Sequence, residues 1–158
     1  MDAIEYLTRQ HRHIESLFDE LQRGRPLEPL ELADVFARIA DAVALHCELE
    51  EEHLYPHARG IRPEAEQADA LTEHQELKEK LADLLQIEPV DPGFGPRLLA
   101  LRDLVELHVE EEESELFPEL ERVLPEALRL DLGLAMAAVA RERGAAVEGE
   151  VTPGLEPG

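Results

Sequence analysis

Hydrophobic positions recur at three- and four-residue steps along most of the chain, the period of an amphipathic helix. The first stripe, Ile4, Leu7, Ile14, Leu17 and Leu21, predicts a helix from about Asp2 to Arg23, after which Gly24, Pro26 and Pro29 interrupt the chain. A second helix opens near Pro29, a good first-turn residue. It carries Leu32, Val35, Phe36, Ile39, Val43 and Leu54 on one face, and Pro56 distorts or ends it before Gly60. A third runs from Pro63 to about Gln86 on Leu71, Leu77, Leu81 and Leu84. Beyond the loop from Ile87 to Gly95, a fourth opens at Pro96 on Leu98, Leu101, Val105 and Leu116, with Pro118 placed as Pro56 was. A fifth, from Pro125 to Arg143, offers Leu128, Leu132, Ala135, Met136 and Val139. The Gly/Pro/Glu-rich end reads as a disordered tail, so residues 1–143 are the expected domain and 144–158 the tail.

Polar residues interrupt these stripes in a repeated way. His11 occupies the slot between Leu7 and Ile14, and His74 the slot between Leu71 and Leu77. His46 with Glu50 continues the second stripe, and His108 with Glu112 the fourth. Residues four apart on a helix differ by about 40° in direction, so each His shares a face with its Glu. Both stretches read His, three residues, Glu-Glu, two residues, Leu, aromatic, Pro: His46 to Pro56 and His108 to Pro118. His11 to His74 is 63 positions and His46 to His108 is 62. Two helical hairpins of one plan are therefore expected, folded as an all-α, up-down-up-down four-helix bundle with an additional C-terminal helix.

Counting about 1.5 Å of rise per residue from the turns brings the four His to similar heights. His11 lies about 18 Å and His46 about 25 Å from the first turn, a mismatch of one or two helical turns. Four imidazoles and two carboxylates then face one interior point. Buried charges without partners cost several kcal/mol per ion, and two divalent cations would satisfy all six groups. Mixed imidazole and carboxylate ligation without thiolate suits iron, and also manganese or zinc. The plainer reading is a bundle whose buried polar groups satisfy one another, which is the usual meaning of a lone His on an apolar face. Four His in repeat, two with an in-register Glu, favour the metal.

Composition narrows the function classes. Only 4% of residues are aromatic, and Leu, Ala and Glu dominate, which favours helix. The net charge of −22 repels nucleic acid and anionic membrane. The single cysteine, Cys47, excludes an internal disulfide and points to a reducing compartment. No apolar run reaches spanning length, and Met1-Asp-Ala-Ile-Glu does not read as a signal peptide, so a soluble cytoplasmic protein is expected.

The motifs Gln10-His11-Arg-His-Ile14, His46 with Glu50 before Leu54-Tyr55-Pro56, Glu73-His74, and His108 with Glu112 before Leu116-Phe117-Pro118 together resemble the hemerythrin-like (HHE cation-binding) family over about residues 2–122. The resemblance implies a four-helix bundle around a non-haem, oxo- or hydroxo-bridged di-iron centre. Its ligands would be His11, His46, His74 and His108, with Glu50 and Glu112 bridging. Oxygen-carrying hemerythrins have a second His one turn after the third-helix ligand, where this chain has Lys78, and place the last carboxylate five residues after its His rather than four. The chain looks more like a six-ligand subgroup, H–HxxxE–H–HxxxE. That implies binding, sensing or reaction with dioxygen or peroxide rather than simple oxygen carriage. Catalase-like peroxide decomposition, iron storage or handling, and a metal-free interaction bundle are the alternatives.

Other residues have bland readings. His53 completes a Glu-x-x-His with Glu50, as in ferritin-like di-iron sites, but its counterpart is Glu115. His13 and His57 are expected at the surface, and Cys47 as a small buried side chain rather than a redox group. Tyr55 and Phe117 are expected to pack as apolar walls. Most of the Glu runs are a solvated face, with Glu51 and Glu113 as the alternative bridges should the helix register differ by one.

Overall fold

The computed structural model describes residues 1–22 and 25–144, and among them no β-strand forms. Helix α1 (Ala3–Gln22) starts with a reciprocal cap. The Glu5 amide donates to Asp2 Oδ1 at 3.0 Å and the Asp2 amide to Glu5 Oε2 at 3.2 Å, so the two residues tie up two of the donors a helix start leaves unpaired. Helix α2 (Pro29–Leu49) has Pro in its first turn. It does not stop at Glu50 but widens into a π-helical turn, Glu50–Leu54, and continues as α3 (Tyr55–Ala58). Gly60, at φ 80°, turns the chain into α4 (Glu64–Leu85). Helix α5 (Phe94–Glu111) repeats the plan, with a π turn at Glu112–Leu116 followed by α6 (Phe117–Val123). Helix α7 (Glu126–Glu142) closes the described chain.

The two π turns have one cause. The Tyr55 amide donates to the Glu50 carbonyl, five residues back, and the Phe117 amide to the Glu112 carbonyl. In each case the next residue is a proline without an N–H, so the wide turn closes on the last donor available before it. Such turns gather at functional sites, and here each begins on a Glu of the repeated motif.

The architecture is the expected up-down-up-down four-helix bundle with an added C-terminal helix, α7, which packs chiefly on α1. Gly133 permits that approach: a Cβ there would lie 2.3 Å from the Met1 carbonyl oxygen. Arg129 adds an ion pair to Asp2 at 2.7 Å. The interior forms two apolar clusters. One gathers Ile14, Phe18, Ile39, Val43, Leu81 and Leu101 with their neighbours. The other gathers Leu7, Leu49, Leu54, Leu116, Leu120 and Met136 with theirs. Between them in sequence, on each of the four long helices, stand the His and Glu of the motif.

Two expectations about the core need correction. Leu71 is 47% exposed although it falls on the α4 stripe; the buried residues of that helix begin at His74. Phe94, assigned to the loop, begins α5 and is buried edge-to-face against Phe36, with ring centroids 5.7 Å apart. Its flanking glycines hid it. The tail assigned to 144–158 lies, from residue 145 on, outside the described residues.

Candidate metal centre

Among the described residues, the buried ionisable side chains apart from Tyr6, Cys47 and Tyr55 are six: His11, His46, Glu50, His74, His108 and Glu112. They meet. His11 Nε2 lies 3.1 Å from His46 Nε2 and 3.2 Å from Glu112 Oε1. His74 Nε2 lies 3.3 Å from His108 Nε2 and 3.4 Å from Glu50 Oε1. Each carboxylate also closes onto the His one turn before it, Glu50 on His46 at 2.7 Å and Glu112 on His108 at 2.9 Å. Glu50 reaches across to His108 at 3.5 Å, and Glu112 to His46 at 3.4 Å. Each carboxylate thus touches imidazoles of both hairpins, standing between the His11–His46 pair and the His74–His108 pair. Ligand atoms of His46, Glu50, His108 and Glu112 all lie within 4.8 Å of one another.

All four Nε2 atoms point inward, which leaves the four Nδ1 atoms facing a second ring of side chains. His11 Nδ1 meets Glu113 Oε2 at 2.9 Å, and His46 Nδ1 meets Gln10 Oε1 at 2.9 Å. His108 Nδ1 meets Glu73 Oε2 at 3.4 Å. His74 Nδ1 faces Glu51 Oε2 at 3.5 Å but forms no hydrogen bond. An acceptor at Nδ1 holds the proton there and presents a bare Nε2 to the interior, the arrangement that metal-ligating histidines use. Glu51 and Glu113, the alternative bridges, therefore stand outside the cluster. Glu51 pairs with Lys78 at 2.8 Å, and Glu113 with Arg12.

The electrostatics of the metal-free cluster are strained. Burial, reinforced by His46, drives the His11 imidazole down to about 3. Burial works against protonation of His108 too, but Glu50 and Glu73 raise it to about 8. Burial opposes the Glu50 carboxylate, yet His46, His108 and His74 hold it well below the usual carboxylate range. The second oxygens, Glu50 Oε2 and Glu112 Oε2, are buried with no hydrogen-bond partner. A buried acceptor left without a donor costs about 1–3 kcal/mol, more when it is charged. Two open carboxylate oxygens beside four inward-facing imidazole nitrogens make a donor set that fits cations.

The aromatic walls are not equivalent. Phe117 stacks on His11 with ring planes 7° apart, and Tyr55 stacks on His74 at 25°. The Tyr55 hydroxyl lies 3.0 Å from His74 Nε2, so it is a polar member of the site rather than only a wall. Burial and then Glu50 push its phenol up, which keeps it protonated and able to donate. The Phe counterpart favoured packing alone, whereas the Tyr55 hydroxyl takes up a hydrogen bond as well. Gln10 and Glu73 were also missed as partners, although each immediately precedes a His of the motif.

The remaining candidates separate. His53 does not join the cluster, and its buried Nε2 has no partner. His13 and His57 are half-buried rather than at the open surface, and His13 lines a cavity of about 600 Å³ between α1, α2 and the end of α7. Cys47 is buried in the apolar cluster, and burial together with Glu50 pushes its thiol up, away from the thiolate that redox or ligand chemistry needs.

The model of the hemerythrin HHE cation binding domain matches residues 2–120. A protein from Mycobacterium kansasii described as hemerythrin HHE cation binding domain-containing superposes with a TM-score of 0.80 at 25% identity, over 91% of this chain and 88% of that one. A protein of Nostoc sp. (strain PCC 7120) named DNA nickase is 33% identical over 117 residues. That match takes in 74% of this chain but spans only 33% of the nickase.

Proposed function

The chain belongs to the hemerythrin HHE cation-binding family, and from that premise we propose that it holds two iron ions at this centre and binds, senses or reacts with dioxygen or its reduced products. His11 and His46 would hold one ion, His74 and His108 the other, and Glu50 and Glu112 would bridge them. The observation that carries this reading is the pair of buried carboxylate oxygens, Glu50 Oε2 and Glu112 Oε2, that have no partner within the protein. Iron suits the mixed nitrogen and oxygen donors and exchanges electrons with oxygen species, which zinc, a closed-shell ion, does not.

When bound, such ions supply Lewis acidity and electron exchange with small oxygen species. The protein's own part is positional. The outer acceptors Gln10, Glu73 and Glu113 orient imidazoles, the rings of Tyr55 and Phe117 shield two of them, and the apolar clusters exclude bulk water on both sides. The Tyr55 hydroxyl places a proton donor at the His74 end, which favours peroxide decomposition as the second reading. Nicking of DNA is not carried over from the Nostoc relative: the match spans a third of it, and a chain of charge −22 repels the phosphate backbone.

Anaerobic loading with ferrous iron, elemental analysis, and an optical spectrum before and after peroxide test the proposal. Two irons per chain and a peroxide-dependent absorption change are expected. Well under one metal per chain after loading refutes it. Steady oxygen evolution over many turnovers selects peroxide decomposition over sensing.

A further inference from the structure

The inner six residues obey the internal repeat, but the ring outside them does not. Gln10 precedes His11 and bonds His46; Glu73 precedes His74 and bonds His108. The same position in the repeat thus carries an amide in one hairpin and a carboxylate in the other. The other two outer groups match in charge, because Glu113 has Arg12 against it and Glu51 has Lys78, although only Glu113 hydrogen-bonds its His. Among the described residues, Glu73 is the outer carboxylate with no Lys or Arg paired to it; its ion pair is with His108 itself. The negative character persists one step further out, where Glu111, facing Glu73, occupies the repeat position of the buried Leu49.

We propose that Glu73 makes the His74–His108 position the tighter of two inequivalent cation sites, filled first. This rests on the two-ion reading above. A carboxylate accepting from Nδ1–H makes the opposite nitrogen a stronger donor than an amide does, and a negative charge without a Lys or Arg partner beside a buried site attracts a cation to it. At 3.4 Å the Glu73 bond is longer than the 2.9 Å bond of Gln10, so the charge, not the bond length, carries the difference.

Both residues can be exchanged without crowding. The Glu73 side chain is 40% exposed, and Gln10 lines the cavity of about 600 Å³. The test titrates the metal-free chain with cobalt(II), a redox-stable probe with visible bands, following absorbance and heat. Two steps are expected. His74→Ala should remove the tight one and His11→Ala the weak one. Glu73→Gln should weaken the tight step by about ten-fold and bring the two constants together, and Gln10→Glu should strengthen the weak step by about as much. Thermal melting of each metal-free variant checks that the fold is intact. Two cobalt ions bound with the tight constant unchanged in Glu73→Gln, or loss of the weak step in His74→Ala, would overturn this assignment alone. Less than one cobalt per wild-type chain would overturn the two-ion reading itself and this assignment with it.

Discussion

Around His46 the outer partner is an amide, Gln10; around its counterpart His108 it is a carboxylate, Glu73. Beside His11 the ring is Phe117; beside His74 it is Tyr55 with its hydroxyl turned inward. The first hairpin is backed by α7, while the second meets no equivalent helix among the described residues. Yet the inner motif, one His and then His with Glu four residues on, is the same in both. The contrast shows where the physical constraint lies. Six buried groups must satisfy one another or a cation, and losing any one strands the rest. The outer groups meet solvent and can differ between hairpins without such a penalty, so the two ends can be tuned separately.

Metal loading tests the shared part of this comparison and carries the largest expected effect. Metal at about 1,000 times its dissociation constant should stabilise the chain by about 4 kcal/mol, or about 8–16 °C in melting temperature at 2–4 °C per kcal/mol. His74→Ala should abolish most of that gain, while His13→Ala, outside the cluster, should keep it; scanning calorimetry with and without metal reads both. Equal gains in the two variants would place the site elsewhere.

Gly133→Ala breaks the comparison at α7, because its Cβ would strike the Met1 carbonyl. Overpacking of this kind costs about 1–3 kcal/mol. Chemical denaturation should show the loss, and hydrogen exchange should place it in α1 and α7 rather than in α4 and α5.

Acidity separates the hairpins in the metal-free chain. His11, held at about 3, disfavours protonation when folded, so its contribution to stability is lost as pH falls below the ordinary 6.5. His108, raised to about 8, does the opposite: its contribution is complete below 6.5 and is lost as pH rises through 8. That shift corresponds to on the order of 2 kcal/mol. Denaturation midpoints across pH 5 to 9 should fall on the alkaline side, and His108→Gln should flatten that limb. A limb unchanged in His108→Gln would reject the assignment.

The smallest change is Tyr55→Phe. It should cost about 1 kcal/mol in the metal-free chain, retain both metals, and alter the response to peroxide. Phe117→Tyr, which places a phenol at the His11 end, is the mirror experiment, and an identical peroxide response in both variants would erase the distinction between the ends.

Much of this organisation is legible in the sequence because helical periodicity and chemical type coincide. His11, His46, His74 and His108 sit on apolar stripes, and burial of those stripes forces them together. What escaped has local causes. Phe94 lies between glycines in a stretch of loop composition, so its packing on Phe36 depends on the tertiary fold. Leu71 keeps the α4 period, but the buried face of that helix starts only at His74. The π turns depend on which amide before a proline closes the turn, a one-residue matter that periodicity does not resolve. The Phe117 counterpart favours packing for Tyr55 over hydrogen bonding, and only the fold brings its hydroxyl to His74.

The polar layer also divides the hydrophobic interior, and that division governs cooperativity. Cations would rivet the two oily compartments into one melting unit. Stripped of them, the compartment holding Leu7, Leu120 and Met136 and the one holding Phe18, Ile39 and Leu101 share only a seam of mismatched protons. Loss of the cations would then loosen the seam first, registering as a partial opening well before either compartment gives way.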